Sequence, residues 1–385
     1  MPFILLILVV TVILFGPYIA PEHKSMLYAV SLSIKSLIIF FLPFIIFGLL
    51  FKTANGFTSN ATKIILMVLF AVCCSNFIST IVSQYVGKLV YNFGLTLPSP
   101  SSARDLKPYW SINLPQLIPN NIAMFLGLSL GIVTSLLSPK VASKITNISV
   151  KIVSFLLSIF NLLIPIFVAG FVMKLEHDGA INIIFRDYGP IFIIIAIAQF
   201  SYIGLIYFIA NKFNLDRMFS SIKNMLPAAI AGFSTMSSAA AMPLTILGTE
   251  KNSSKSSIAS SIIPATVNIH LIGDCFAIPI FAFAILKNYG IAEPSIISYM
   301  IFAGYFVLAK FSVAAIPGGG IIVMLPILEA YLGFNASMMS LITALYILFD
   351  PVITCANVLG NGGFSLMIRR LIKNNNEETV ANPAV

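Results

Sequence analysis

One carboxylate stands inside an apolar run: Asp350, between Phe349 and Pro351. A lone acid at membrane depth is costly to hold and marks a substrate or ion pathway. The plain alternative is a structural acid paired with Lys310 or Lys88. Thr354 follows one helical turn later and Asn357 one more, on the same face. A second group is Ser234-Thr235-Met236-Ser237-Ser238. There, hydroxyls and main-chain N–H groups near a helix start suit a carboxylate, whereas Ala239–Ala241 read as small-residue packing. A third is Asn268-Ile269-His270-Leu271-Ile272-Gly273-Asp274. Histidine changes charge near neutral pH, so proton coupling through His270 or Asp274 stands beside a hydrogen-bonded core histidine. The fourth is Pro317-Gly318-Gly319-Gly320, whose glycines tolerate the backbone changes of an opening gate. Asn357-Val358-Leu359-Gly360-Asn361 is the fifth.

The elements that must position these groups come in two matched pairs. Each pair is a polar tip between apolar arms, followed by an apolar helix expected to break at an Asn and a Gly. Irregular backbone at membrane depth survives only where protein or a cavity satisfies it. Matched breaks place a substrate site between two structural repeats, as in secondary transporters. Composition agrees: 58% of residues are hydrophobic and 9% charged, which no soluble fold of this length hides. Membrane spans are expected at roughly 3–21, 28–53, 61–95, 115–138, 146–174, 187–211, 258–288 and 336–372, at about 20 apolar residues per crossing. Stretches near 220–249 and 293–332 are interrupted at their centres and read as re-entrant hairpins. The first span lacks a charged leader region and reads as a retained helix.

Lys and Arg set the orientation. With the N-terminus cytoplasmic, Lys52, Lys140, Lys144, Lys212, Arg217, Lys223, Lys251, Arg369 and Arg370 collect on one face. Among the few on the other are Lys24, Lys107 and Lys174. The net charge of +9 is therefore a topology signal with attraction to anionic lipid, and no nucleic-acid partner is expected. Cys73, Cys74, Cys275 and Cys355 match no metal or redox spacing. No nucleotide loop or catalytic pair appears, so neither an enzyme nor an ATP-driven pump is expected and no cofactor is implied.

Four motifs carry a resemblance. Gly232-Phe233-Ser234-Thr235-Met236-Ser237-Ser238 through Pro243 resembles the serine-rich first hairpin of the dicarboxylate/amino acid:cation symporters, the glutamate-transporter family. Ala314-Ala315-Ile316-Pro317-Gly318-Gly319-Gly320 is similar to that family's second hairpin tip. Pro264-Ala265-Thr266-Val267-Asn268 resembles its broken seventh helix, and Asp350 through Asn361 its last helix. The resemblance implies an all-α polytopic membrane protein of eight transmembrane helices and two re-entrant hairpins, with inverted repeats and an elevator mechanism. It implies a homotrimer; the Lys- and Asn-rich loops and Ile/Phe-rich spans point to a bacterial inner membrane, and the Lys and Arg bias to cytoplasmic termini. Residues 1–60 and 96–180 would be scaffold. Span 61–95 and residues 181–372 would form the transport domain, and 373–385 a polar tail without fixed structure.

By the same resemblance, substrate contacts fall on Ser237, Ser238, Pro317, Gly318, Gly319, Asp350, Thr354 and Asn357. Asp350 and Thr354 would receive the α-amino group, and Asn357 the α-carboxylate unless it clamps the helix. Ion coupling falls on Thr266, Asn268, His270, Asp274 and Asn361, with a possible sodium at Thr266 and Asn268 and no transition metal. The chain departs from the family in three places. Ile353 and Met236 stand where acidic-substrate carriers hold an Arg. His270 and Asn361 stand where sodium-binding Asp residues are usual. Cys73 and Cys74 replace oxygen ligands with thiols, which suit sodium poorly. The expected function is import of a small amino acid or related organic acid on a proton or sodium gradient. The alternatives are a proton-coupled dicarboxylate or acidic amino-acid symporter, with Lys310 as the missing cation, or a transporter-like pore or solute sensor.

Overall fold

A computed structural model describes residues 2–55, 62–92, 106–115, 117–179, 188–252, 262–313 and 318–381. Among them the secondary structure is helical, and helices stand at every expected span. Helix α1 (Pro2–Phe15) ends earlier than the hydrophobic run because Pro17 disfavours helix at the residue before it; a 3-10 turn, Gly16–Tyr18, follows. Helix α2 (Pro21–Asn55) begins several residues before the expected span, with Pro21 as its first residue and Glu22 in its first turn. Both choices suit a helix N-terminus. Helices α3 (Thr62–Asn92), α4 (Asn120–Leu137), α5 (Pro139–His177) and α6 (Gly189–Ala210) complete the first six spans. On length and composition alone, Met67–Asn92, Gly189–Ala210 and Ser337–Arg370 are long and apolar enough to cross a bilayer among the described residues.

Helix α2 packs along both α4 and α5. Gly127 and Gly131, one turn apart on α4, lie against Phe47, Phe51 and Ala54 of α2, so closely that a β-carbon would collide. Small residues at such spacing let apolar helices approach where lipid offers no hydrophobic drive. At one end an ion pair, Lys24 to Glu176 at 2.7 Å, joins α2 to α5, and Lys174 pairs with Asp178 at 2.8 Å at the end of α5 itself.

The first hairpin is α7 (Leu215–Thr235) and α8 (Ser238–Lys251). Met236 turns the chain in the left-handed region at φ 50°, and Ser237 caps α8 by accepting from the Ala240 N–H at 3.3 Å. With 14 residues, α8 covers roughly 21 Å, short of a bilayer core of about 30 Å. The second hairpin is α10 (Ile296–Lys310) and α11 (Gly319–Leu332). Its tip residues 314–317, including Pro317, lie outside the described residues.

Between the hairpins the seventh span breaks as expected: a helical turn over 262–266, irregular backbone, then α9 (Ile272–Asn288). The last span does not break. Helix α12 runs from Ala336 to Ala381 through Asn357, Gly360 and Asn361, against the expectation of an interruption there. Its glycines give close approach instead. Gly360 abuts Ile272, and Gly362 and Gly363 abut Tyr207. The polar tail expected to lack structure continues α12 as far as Ala381; neither proline nor glycine interrupts residues 373–381. Helices α3 and α6 to α12 share one apolar core, which Ile46 and Leu50 of α2 and Ala123 of α4 join, while α1, α2 and α5 build most of a second, which Met236 and Ile347 also touch.

Candidate functional site

The site is assembled on the break in the seventh span. Residues 267–271 contain no Gly or Pro, so the chain does not break by its own preference. Three asparagines from flanking helices hold the freed backbone groups. Asn76 of α3 donates to the Ile269 carbonyl at 2.7 Å and accepts from the Leu271 N–H at 3.2 Å. Asn357 of α12 accepts from the Gly273 N–H at 2.8 Å. Asn361 donates to the His270 carbonyl at 3.1 Å and to its own helix at Asn357. Buried backbone must be satisfied somewhere, and here side chains do it.

Asp350 is buried on α12 and reaches both hairpins' neighbourhood. Its Oδ2 accepts from the Gly318 N–H at 2.8 Å, and its Oδ1 from the Thr354 hydroxyl at 3.0 Å. Gly318 has φ +71°, a conformation side chains rarely adopt. Lys88 lies instead with Glu293, at 3.7 Å, and Lys310 with Asp274, at 3.3 Å. Neither cation considered as a structural partner sits on Asp350.

Asp350 borders a cavity with Ser238, Thr354, Asn268, Asn357 and Asp274. Its space, about 20 Å³, is enough for one or two waters. The described lining therefore leaves no room for an amino acid, which would enter only with displacement of these residues. Met236 also lines the cavity. Ile353 is fully buried, with its carbonyl against Gly273.

The remaining expected residues are divided between the cavity and its surroundings. Ser237 caps α8, and Gly319 is buried in the first turn of α11. The Thr266 hydroxyl donates to the Ile262 carbonyl at 3.0 Å, while Asn268 is exposed to the cavity, so their side chains face different surroundings. His270 is fully buried, stacked 4.2 Å from the Phe364 ring, with Nε2 2.9 Å from the Ser75 hydroxyl. Asn357 lines the cavity, but both ends of its amide are engaged, on Gly273 and on Asp274 at 2.8 Å.

Sequence reasoning missed Asn76, Tyr346 and Gly320 as site residues. Tyr346 donates to Asp274 at 2.7 Å. Its signal was available: residues 346, 350 and 354 share one helical face. Gly320 had none, because it matters only through what lies opposite. A β-carbon there would overlap the Asp274 carboxylate and the Tyr346 hydroxyl. Gly320→Ala should therefore destabilise by about 1–3 kcal/mol, as overpacking does, despite alanine's better helix propensity. A thermal midpoint equal to that of the wild type would show that the tip yields without cost.

No curated protein matches the chain. A family model described as the sodium:dicarboxylate symporter family matches residues 1–371, a stretch that includes both hairpins, the broken span and every polar group of the cavity. By that match the chain belongs to the sodium:dicarboxylate symporter family.

Proposed function

We propose that this family member is a secondary importer of a small neutral amino acid, driven by a proton or sodium gradient. The supporting observation is the charge around the cavity. Its ionisable acids are Asp350 and Asp274, and Asp274 is already matched by Lys310. Asp350 is left facing the cavity with hydrogen bonds and no cation among the described residues. A substrate ammonium would complete it with a charge-assisted hydrogen bond. Ser238, at the start of α8, offers the substrate's carboxylate a helix N-terminus. A second substrate carboxylate would meet Met236 and no guanidinium, which disfavours aspartate and glutamate.

Transport would follow an elevator path, the core of α3 and α6 to α12 sliding against α1, α2, α4 and α5 within a homotrimer. The apolar core built mostly by α1, α2 and α5, beside the one shared by α3 and α6 to α12, supports that division; Ile46, Leu50 and Ala123 on one side and Met236 and Ile347 on the other form the seam between the groups. Exposed Phe125, Leu136, Leu137, Phe155 and Leu162 on α4 and α5 suit lipid or a neighbouring subunit. The proposed setting is a bacterial inner membrane with both termini cytoplasmic.

Proteoliposomes test the reading directly. Labelled alanine and serine should accumulate saturably under an imposed gradient, at least about tenfold over aspartate, the discrimination of one 1.4 kcal/mol contact. Separate sodium and proton gradients identify the driving ion. Preferential aspartate uptake would overturn the substrate assignment, and flux that only equilibrates would indicate a pore.

A further inference from the structure

Asp274 is approached from every element around it. Lys310 comes from the end of α10, Tyr346 and Asn357 from α12, and the Gly320 backbone from α11. The Lys310 side chain is completely buried. Its ammonium lies 3.3 Å from Asp274 Oδ1 and 4.5 Å from the centre of the Phe306 ring. Yet among the described residues Nζ makes no hydrogen bond of good geometry. The ammonium is held by charge and by fit, without directional bonds, and those are the terms on which a spherical monovalent cation binds. The surroundings suit one. Asp274 supplies a hard anionic oxygen, and Tyr346, bonded to it at 2.7 Å, a phenolic one.

We propose that Lys310 is a tethered cation: its ammonium occupies a monovalent-cation position at Asp274, so that this position takes no mobile ion from solution. A lysine stem of four flexible carbons carries a compact point charge and can do this where a guanidinium could not. Removing the ammonium leaves Asp274 as an uncompensated buried charge, a strongly unfavourable state, and that cost becomes affinity for a free cation. The position would then accept sodium or a small alkylammonium. The idea does not rest on the substrate assignment, because it concerns an ion position that can be probed with no substrate present.

The test uses purified full-length protein in detergent. Thermal midpoints are measured in sodium chloride and in methylammonium chloride against choline chloride at equal ionic strength. Lys310→Ala should gain a saturable rise of about 2 °C or more with sodium or methylammonium, as a ligand in tenfold excess over its Kd would give. The wild type and the double variant Lys310→Ala/Asp274→Asn should lack it. Lys310→Met, closer in volume, provides a second background. Recovery of either variant as folded protein in sodium or methylammonium but not in choline would also support the proposal. It is overturned if the folded single variants respond no more than the wild type, if the double variant responds equally, or if neither variant folds in any of the salts.

Discussion

Asp350→Asn is expected to abolish uptake of an amino-bearing substrate while leaving the protein folded. The amide keeps an oxygen for the Gly318 N–H and a polar neighbour for Thr354, the two groups that hold the carboxylate now. What it loses is the charge. Removing one partner of a buried, hydrogen-bonded charge pair costs about 2–5 kcal/mol of binding. At 1.4 kcal/mol per tenfold, that weakens apparent affinity by about 30-fold to several thousand-fold. A structural acid behaves differently. A carboxylate held for stability by a cation destabilises the fold when neutralised, whereas an unpaired one at membrane depth is costly to keep. The midpoint of Asp350→Asn should therefore be unchanged or higher while uptake is lost. Full uptake by this variant would remove Asp350 from the substrate's path. A midpoint that falls with uptake would make it a structural acid.

Asn76→Ala should be the most damaging single polar substitution away from the cavity. It removes the partners of the Ile269 carbonyl and the Leu271 N–H together, in a fully buried setting. Each buried group left unsatisfied costs about 1–3 kcal/mol, so the expected loss is roughly 2–6 kcal/mol. The break would lose its tie to α3, and the cavity face carried by Asp274 would lose its position with it. Ser79→Ala is the internal comparison. The Ser79 hydroxyl bonds carbonyls of its own helix, at Ser75 and Asn76, and meets the Cys275 thiol, but it holds no backbone group of the broken segment. Its removal deprives no broken backbone and should cost about 0.5–1.5 kcal/mol, the net worth of one hydrogen bond. Thermal midpoints and monodispersity in detergent read both. Equal midpoints for the two variants would mean that the broken segment holds its shape without Asn76.

How far the sequence reaches is clearest at these residues. Asp350 is conspicuous by type alone, because ionisable groups at membrane depth are rare, and Thr354 follows from helical spacing. The matched tips are visible because polar clusters interrupt apolar runs. The last helix was misjudged for a related reason. Asn and Gly lower helix propensity, but Gly362 faces Tyr207 and Gly363 faces Ile206 closer than a β-carbon allows, Gly360 lies tightly on Ile272, and packing outweighs propensity. The seventh span is the reverse case. Its break contains no helix breaker, and Asn76, nearly two hundred residues away in sequence, supplies what the backbone lacks.

By itself the sequence determined the class of the protein and the identity of its chemical groups. Apolar runs set against a bilayer, hairpins marked by interrupted hydrophobicity, and one isolated acid on a helix face are all local properties. Only the tertiary structure decided which of those groups share a cavity and which are already matched. Lys310 could have met Asp350 or Asp274; α10, packed on α11 and α3, brings it to Asp274. Asn357 could have been free for a ligand; its amide bridges Gly273 and Asp274 instead. Charge pairing and hydrogen-bond satisfaction act over a few ångströms in space, and neither depends on separation along the chain.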